Sequence, residues 1–215
     1  MVRVWFVTVL ESGDIVVATA RNPSRLGDLV TKYGPDKIFA ISLDVTDFDQ
    51  ANKAVKEAVD KFGRIDVAVD NAGHANLASI EDIDMEGFRA QVDVNLFGVV
   101  NVTKAVVPIM LSLIGGRIEV APFGIKVTVA EPTGINTNMG ATATDNSKVS
   151  EPYEQTVGQI IQLISKEYSG WTEVSEIARA IIHLSNVEDP LLRIMVAKTL
   201  ADSDEKWAKV SKLEF

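Results

Sequence analysis

The sequence predicts an α/β protein with a single doubly wound parallel sheet, and three observations support this prediction. Short apolar runs rich in β-branched residues alternate along the chain with amphipathic stretches at helical spacing. Near-continuous apolar runs are typical of strands buried on both faces of a parallel sheet. The chain has 215 residues, which is enough for one buried core and short for two. We therefore predict one domain over residues 1–215, without an interdomain linker or an internal repeat.

The first third of the chain contains four runs that predict strands: Val2–Val9, Ile15–Thr19, Lys37–Leu43 and Ile65–Val69. Between the last two runs, apolar residues at three-and-four spacing predict a helix over Asp47–Phe62. Thr46 is expected to cap the amino end of this helix, and Gly63 is expected to follow its last turn.

The remaining elements alternate in the same way. The pattern predicts a short and then a long helix between Ser79 and Met110, a strand at Ile125–Ala130, a loop at 141–150, and helices at Tyr153–Tyr168 and Val174–Leu184. Thr172 is expected to cap the last of these helices, and the tail from Leu191 to Phe215 is expected to be largely helical. In such sheets ligands bind at the carboxyl ends of the strands, so functional residues should follow the apolar runs directly.

Composition narrows the classes of function. The net charge of -9 argues against nucleic acid as the main partner, because phosphate binding needs a basic face. The chain has no cysteine, which excludes disulfides, zinc–thiolate sites and thiol nucleophiles, and its two histidines cannot build a three-histidine metal site. The run Val2–Val9 is too short for a membrane span and shows no cleavage pattern. We therefore predict a cytoplasmic protein with no membrane partner.

Five segments that follow predicted strands or lie in predicted helices stand in a recognisable order. They are Thr19-Ala-Arg-Asn-Pro23, Asp44-Val45, Asp70-Asn-Ala-Gly73, Val94-Asn-Leu-Phe-Gly98 and Glu131-Pro-Thr-Gly134. In this order, from about Arg3 to Asp189, they resemble the motifs of the classical short-chain dehydrogenase/reductase family. The resemblance implies a Rossmann-like doubly wound sheet and an oxidoreductase that uses NAD(P) to interconvert an alcohol and a carbonyl.

The resemblance also implies which residues contact the cofactor. An acid after the second strand would suit NAD, whereas Arg21 in that place suits the 2′-phosphate of NADP, so NADP is favoured over NAD. The alternative for Arg21 is a solvated surface arginine, and the alternative for Asp44 is a turn or cap residue. The further expected cofactor contacts are Asp44 and Val45 at the adenine, Asn71, Ala72 and Gly73 along the adenosine, and Pro132, Gly134 and Thr137 near the nicotinamide.

Asn95 is the one catalytic residue that the resemblance implies. It is expected to kink the long helix and to anchor a water of the proton relay. The alternative is a buried, hydrogen-bonded core amide without a role in the reaction.

Two parts of the family pattern are absent from the sequence. The first is the glycine-rich turn and helix that bind the pyrophosphate, because only about five residues lie between the first run, which ends at Val9, and the next strand. A parallel crossover needs about a dozen residues, so the first two runs cannot be joined as a parallel pair. These features predict internal deletions in the fold.

The second missing part is the helix with the Tyr-x-x-x-Lys pair, which should lie between Met110 and Glu119. In the best register Leu113, and not Ser112, takes the position of the catalytic serine. Tyr33 has a lysine four residues on, but the intervening Gly-Pro pair forbids a helix, and we interpret this match as coincidence.

Three hypotheses follow from these absences. The chain is a truncated, non-catalytic interaction protein, or it omits segments of a longer NADP(H)-dependent enzyme, or it is a nucleotide sensor that uses Arg21, Asp44 and Asn71. For an active enzyme we predict a small-molecule alcohol or carbonyl substrate and a possible homo-oligomer. The substrate lid is expected at about 138–170. Four of its residues suggest a lipophilic substrate, with ordinary core packing as the alternative: Met139, Tyr153, Val157 and Ile160.

Overall fold

The computed structural model describes residues 2–112, 124–132, 134–135, 137, 149–165 and 171–196. Four strands lie in this part of the chain: β1 (Val16–Ala20), β2 (Ile38–Ser42), β3 (Val129–Pro132) and β4 (Arg193–Val196). β1 pairs in parallel with β2, and β3 pairs in parallel with β4. Among the described residues, the two pairs share no strand. The predicted α/β class with parallel strands is thus confirmed, while the strands of the described part form two separate pairs.

Seven α-helices of the described part surround these strands. They are α1 (Val2–Glu11), α2 (Gly27–Tyr33), α3 (Phe48–Phe62), α4 (Met85–Val92), α5 (Gly98–Ser112), α6 (Gln159–Ser165) and α7 (Val174–Ser185). Short 3₁₀ turns at Pro23–Leu26 and Glu151–Tyr153 precede α2 and the segment that leads to α6. Turns of π-helix at Asp93–Phe97 and Glu154–Gly158 join α4 to α5 and lead into α6.

The prediction of a strand at Val2–Val9 is wrong, because these residues form helix α1. The short connection to β1 explains the difference, since it leaves no room for the crossover that a neighbouring parallel strand would need. As a helix, the segment buries Phe6 and Leu10 against a core that includes Val16 and Ile38. Tertiary burial therefore outweighs the β propensity of its valines.

The prediction of a strand at Ile65–Val69 is also wrong, because the structure assigns no strand there. In the doubly wound order 3-2-1-4-5-6, the first and fourth strands are neighbours in the middle of the sheet. With Val2–Val9 helical, Ile65–Val69 has no strand beside it in the described part of the chain. Val67 and Val69 are accordingly exposed.

Helix α3 closely matches the predicted helix. Asp47, and not Thr46, caps its amino end, because the Asp47 carboxylate accepts a hydrogen bond from the Gln50 N–H at 3.0 Å. Gly63 ends the helix in the left-handed conformation, with a φ of 81°. The alanines of its inner face are buried against β2 and α5.

Helices α4 and α5 are joined by the π turn at Asp93–Phe97 into one helical stretch, which we name the α4–α5 rod. Asn95 lies in the middle of that turn, and the kink expected at this residue stays a prediction. Within the described residues, Met85–Leu111 is the one helical stretch that could cross a membrane when judged by its length and composition alone.

The last third departs from the prediction in three details. The strand predicted at Ile125–Ala130 is β3, which begins later, and the tail predicted as helical begins with strand β4. The remaining tail lies outside the described residues. Glu173, and not Thr172, caps α7. The Glu173 side chain accepts a hydrogen bond from the Glu176 N–H, and the Glu176 side chain accepts one from the Glu173 N–H. Ile177, Ala180 and Leu184 of α7 pack on β4, and α7 also contacts α1.

Candidate functional site

The carboxyl ends of β1 and β2 bring the first two predicted site residues to one edge of the sheet. Ala20 lies opposite Ser42 in the parallel register, and the Leu43 N–H donates to the Ala20 carbonyl at 3.0 Å. Arg21 follows the end of β1 directly, and Asp44 follows the end of β2 after Leu43. The Arg21 side chain is exposed, which leaves it accessible to an anion at this edge.

The Asp44 carboxylate is partly occupied by its own turn. Its Oδ1 accepts hydrogen bonds from the Thr46 N–H at 3.0 Å and from the Thr46 hydroxyl at 2.8 Å. The Asp44 N–H donates to the Gln50 side chain at 3.0 Å. This arrangement matches the alternative of a turn residue and at the same time fixes the position of the carboxylate.

Val45 is fixed by helix α5. The Asn101 side-chain amide donates to the Val45 carbonyl at 2.9 Å, and buried Gly98 lies beneath the Val45 side chain. A Cβ on Gly98 would lie 2.6 Å from Val45 Cγ2, so only glycine permits this approach of helix and loop. The strand end that carries Asp44 is thereby held on the helix.

Asn95 holds the Asp70–Gly73 segment on the same helical rod. Its Nδ2 donates to the His74 carbonyl at 2.8 Å, and its Oδ1 accepts from the His74 N–H at 3.0 Å. A Cβ on Gly73 would lie 3.2 Å from Asn95 Oδ1, which explains the small residue at that place. Both ends of the Asn95 amide are thus used by one backbone, and the residue is exposed, not buried as its alternative supposed.

Asp70 contacts the helix as well, through a hydrogen bond of 3.3 Å from the Thr103 hydroxyl. Desolvation raises the pKa of the Asp70 carboxyl, although the residue as a whole is exposed, and the Thr103 hydrogen bond acts in the opposite direction. The structure therefore holds Val45 and Gly73 against the same α4–α5 rod, Val45 at Gly98 and Gly73 at Asn95. Asn71 and Ala72 are exposed to solvent.

The residues that the resemblance places near the nicotinamide belong to the other strand pair. Pro132 ends β3 opposite Val196, and the Gly134 carbonyl accepts from the Thr172 N–H at 2.8 Å. A Cβ on Gly134 would lie 3.0 Å from Trp171 Cδ1, so the indole packs directly on this glycine. Thr137 is half-buried, whereas Thr133 and Leu113 lie outside the described residues.

The tyrosines of the described part do not replace the missing proton donor. Tyr33 ends α2 at the amino side of β2, on the edge opposite the strand ends described above. Gly34 has a φ of 86°, and Lys37 donates to the Gly13 carbonyl at 3.1 Å instead of approaching Tyr33. Tyr153 donates to the Glu81 carboxylate at 2.7 Å, and this hydrogen bond raises the Tyr153 pKa. A catalytic tyrosine needs the opposite shift.

Sequence reasoning missed several residues that hold the site together. They are His74, Asn101, Thr103 and Trp171. For Asn101 a signal was available, because it is a polar residue within an otherwise apolar helix. His74 and Trp171 contribute a backbone contact and an indole face, which no spacing pattern indicates.

We expect Gly98→Ala to lower the free energy of unfolding by about 1–3 kcal/mol, because overpacking against the stiff Val45 outweighs the helix propensity of alanine. Urea unfolding followed by circular dichroism measures the loss. Val45→Ala in the same chain should recover most of it. Gly27→Ala is the matched control, because a Cβ there meets open space in a helix. Equal effects at Gly98 and Gly27 would contradict the packing argument.

Comparisons with known proteins agree with this architecture. The family model described as short chain dehydrogenase matches residues 6–118. The chain is 38% identical to the oxidoreductase BOA17 of Botryotinia fuckeliana, with 98% of each chain covered. It is also similar to a solved short-chain dehydrogenase from Streptomyces avermitilis, with 27% identity, a TM-score of 0.75, and 99% of this chain and 94% of that chain covered. A gluconate 5-dehydrogenase from Burkholderia cenocepacia shares the fold at 19% identity, with a TM-score of 0.70 and coverages of 94% and 91%.

The length of one comparison is informative in itself. The alignment with the Botryotinia protein extends over 270 positions, which exceeds the 215 residues of this chain by 55. At least that many positions therefore hold residues in the relative and none here.

Proposed function

Since this chain belongs to the short-chain dehydrogenase family, we propose that it is the framework of an oxidoreductase that interconverts an alcohol and a carbonyl with NADP(H), in a form that does not complete the reaction. In this proposal residues 1–215 form one domain. Its substrate is a small molecule, and its place is the cytoplasm.

The observation that carries the proposal is helix α1. In the family pattern a strand would end before the first connection and present backbone N–H groups to the pyrophosphate. Here α1 ends at Glu11 and only residues 12–15 separate it from β1. No glycine-rich turn with a following helix fits into these four residues. The 55 unmatched positions of the Botryotinia alignment support the same interpretation.

The remaining residues fit one end of the cofactor and not the other. At the adenosine end, exposed Arg21 supplies a guanidinium suited to a 2′-phosphate, and Asp44 is held beside it. Asn71, Ala72 and Gly73 would lie along the adenosine in this proposal, and Gly73 leaves room for the Asn95 amide that packs against it. The glycine-rich turn that would bind the pyrophosphate and the helix that would carry the Tyr-x-x-x-Lys pair are absent from the sequence. When bound, the cofactor would supply hydride chemistry.

In this proposal Asn95 is a positioning residue. Both polar atoms of its amide are engaged by the His74 backbone, and this pair of bonds holds the segment that ends in Gly73. The catalytic role in a proton relay remains a prediction for a form of the protein that contains the missing tyrosine.

Titration with NADPH, followed by its fluorescence, tests the adenosine-end proposal. We expect weak binding that Arg21→Ala weakens by a further factor on the order of ten, because a charge-assisted hydrogen bond to phosphate is lost. NADH binding should be weaker than NADPH binding and unchanged by the substitution. Arg25→Ala, an exposed arginine in the following 3₁₀ turn, is the matched control. Equal binding of NADPH by the Arg21 and Arg25 variants would refute the role of Arg21.

The second candidate function is a non-catalytic interaction module. The exposed apolar side chains of the α4–α5 rod favour it, because Leu96 is 56% and Phe97 is 53% exposed. Light scattering on the purified protein separates the two candidates. A self-associating chain that shows no NADPH binding supports the interaction module, and a monomer that binds NADPH supports the cofactor framework.

For the substrate we propose a lipophilic alcohol or ketone. Ile160 of α6 is 53% exposed, which argues against ordinary core packing of this face. Val157 is half-buried one turn earlier, and the Tyr153 ring precedes it with its hydroxyl bound to Glu81. Met139 lies outside the described residues.

A further inference from the structure

Two consecutive acids, Glu81 and Asp82, bind a segment that lies almost seventy residues further along the chain. Asp82 Oδ2 accepts hydrogen bonds from the Ser150 N–H and from the Ser150 hydroxyl, both at 3.0 Å. The hydroxyl of buried Ser79 donates to the same oxygen. Glu81 accepts from the Tyr153 hydroxyl at 2.7 Å. One short turn thus receives four hydrogen bonds, three of them from residues 149–158, which we name the docked segment.

The charged residues of the two stretches that meet here all have the same sign. Residues 79–86 carry four acids and residues 149–158 carry two, and neither stretch contains a lysine or an arginine. The acids are Glu81, Asp82, Asp84, Glu86, Glu151 and Glu154. The nearest cations along the sequence are Arg89 in α4 and Lys148, which directly precedes the docked segment and lies outside the described residues. Hydrogen bonds from neutral donors therefore hold together two segments that repel each other electrostatically.

We propose that Glu81 and Asp82 form a clasp that holds the docked segment in place without any ligand, and that dissolved salt tightens this clasp. A salt bridge across the same contact would show the reverse dependence, because salt screens attraction. Here salt screens only the repulsion among the carboxylates and leaves the neutral donors unaffected. The clasp does not depend on the proposed function.

Protonation sets the range of pH over which the clasp holds. The Ser150 N–H, followed by the Ser79 hydroxyl, lowers the pKa of the Asp82 carboxyl below its ordinary value. Its contribution is therefore present above the ordinary aspartate pKa of about 4 and is lost as the pH falls through the lowered pKa. The raised Tyr153 pKa keeps the phenol a donor up to its ordinary pKa of about 10, and that bond is lost as the pH rises further. The clasp is closed throughout the neutral range.

Hydrogen–deuterium exchange of peptides covering residues 149–158 tests the proposal on the whole chain at neutral pH. In the unmodified protein, exchange should slow when salt is raised from about 0.05 M to about 0.5 M, where the Debye length falls to a few ångströms. Asp82→Ala should speed exchange by a factor on the order of ten, because the acceptor of the Ser150 N–H is removed.

Glu151→Ala is the matched control. It removes the same charge from the docked segment, and the structure records no hydrogen bond for the Glu151 side chain. We expect it to slow exchange, because repulsion falls while the clasp stays intact. Ser150→Ala keeps every charge and should speed exchange, as Asp82→Ala does. Unchanged exchange at β1 and β2 in each variant shows that the fold persists.

Two results would overturn the proposal. One is slower exchange in both Asp82→Ala and Glu151→Ala, which would mean that repulsion alone governs the segment. The other is faster exchange at high salt in the unmodified protein. If Asp82→Ala disrupts the strands as well, the Ser150→Ala result decides, and exchange equal to that of the unmodified protein excludes the clasp.

Discussion

The purified protein is expected to form no NADPH from NADP⁺ and an alcohol at a rate above that of a protein-free control. The sequence has no Tyr-x-x-x-Lys helix, and a positioned acid or base contributes about 10²–10⁴ to such rates. Tyr153 cannot substitute, because its hydroxyl is bound to Glu81 and its pKa is raised. The loss of pyrophosphate donors at the α1–β1 connection adds to the deficit, because the nicotinamide is then not held in place.

The measurement is NADPH absorbance with a panel of primary and secondary alcohols, and NADPH consumption with the matching ketones and aldehydes. The intact mass must be 23.3 kDa, so that the tested polypeptide is the printed one. The Botryotinia oxidoreductase is assayed with the same panel for comparison. Turnover by a protein of verified mass would show that the missing segments are not needed, and our account of the chemistry would be wrong.

Ile38→Ala is expected to lower the free energy of unfolding by about 3 kcal/mol, within the range of about 2–5 kcal/mol for isoleucine truncation in a core. Ile38 begins β2 and is fully buried. Its side chain belongs to the cluster in which α1 packs on the first strand pair, together with Phe6 and Val16. A cavity at this position weakens the apolar packing that stabilises the helical state of α1. Urea unfolding, followed by far-ultraviolet circular dichroism, measures the change.

Ile80→Ala provides the control for the same chemical change on the surface. Ile80 is 81% exposed, so its truncation should change the free energy of unfolding by less than about 0.5 kcal/mol. Similar losses at the two positions would mean that the cluster around Ile38 does not form in solution.

The elements that sequence reasoning predicted well are those that short-range chemistry specifies. The spacing of Ala51, Ala54 and Ala58 determines the inner face of α3, and Gly63 ends the helix in the left-handed conformation. The strand at Ile15–Thr19 is β1, shifted by a single residue. In these places propensity, capping and burial all favour the same conformation.

The wrong predictions concern elements whose state depends on a distant partner. Val2–Val9 has the composition of a buried strand, but a strand is stable only if a neighbour with the right connection exists. The short connection to β1 leaves no room for a parallel crossover, so the run forms a helix and not a strand. Ile65–Val69 is not a strand for a related reason. Its expected neighbour in the sheet, Val2–Val9, is a helix, so Ile65–Val69 has no strand to pair with in the described part of the chain.

For the candidate site, the resemblance located residues but not the contacts between them. It placed Gly73 and Asn95 in separate motifs, and the structure joins them through the His74 backbone. It placed Asp44 at the adenine, and the structure adds that Thr46 occupies one of its oxygens. Such contacts depend on side-chain directions between distant segments, which spacing along one sequence does not encode.

The separation of the strands into two pairs affects how the protein unfolds locally. Strands of one continuous sheet share a ladder of backbone hydrogen bonds, so they tend to open as one cooperative unit. Here β1–β2 and β3–β4 have separate ladders in the described part of the chain, and packing such as that of α1 on α7 connects the two halves. The pair β1–β2 and the pair β3–β4 can therefore open independently of each other, because side-chain packing, and not backbone hydrogen bonds, connects them.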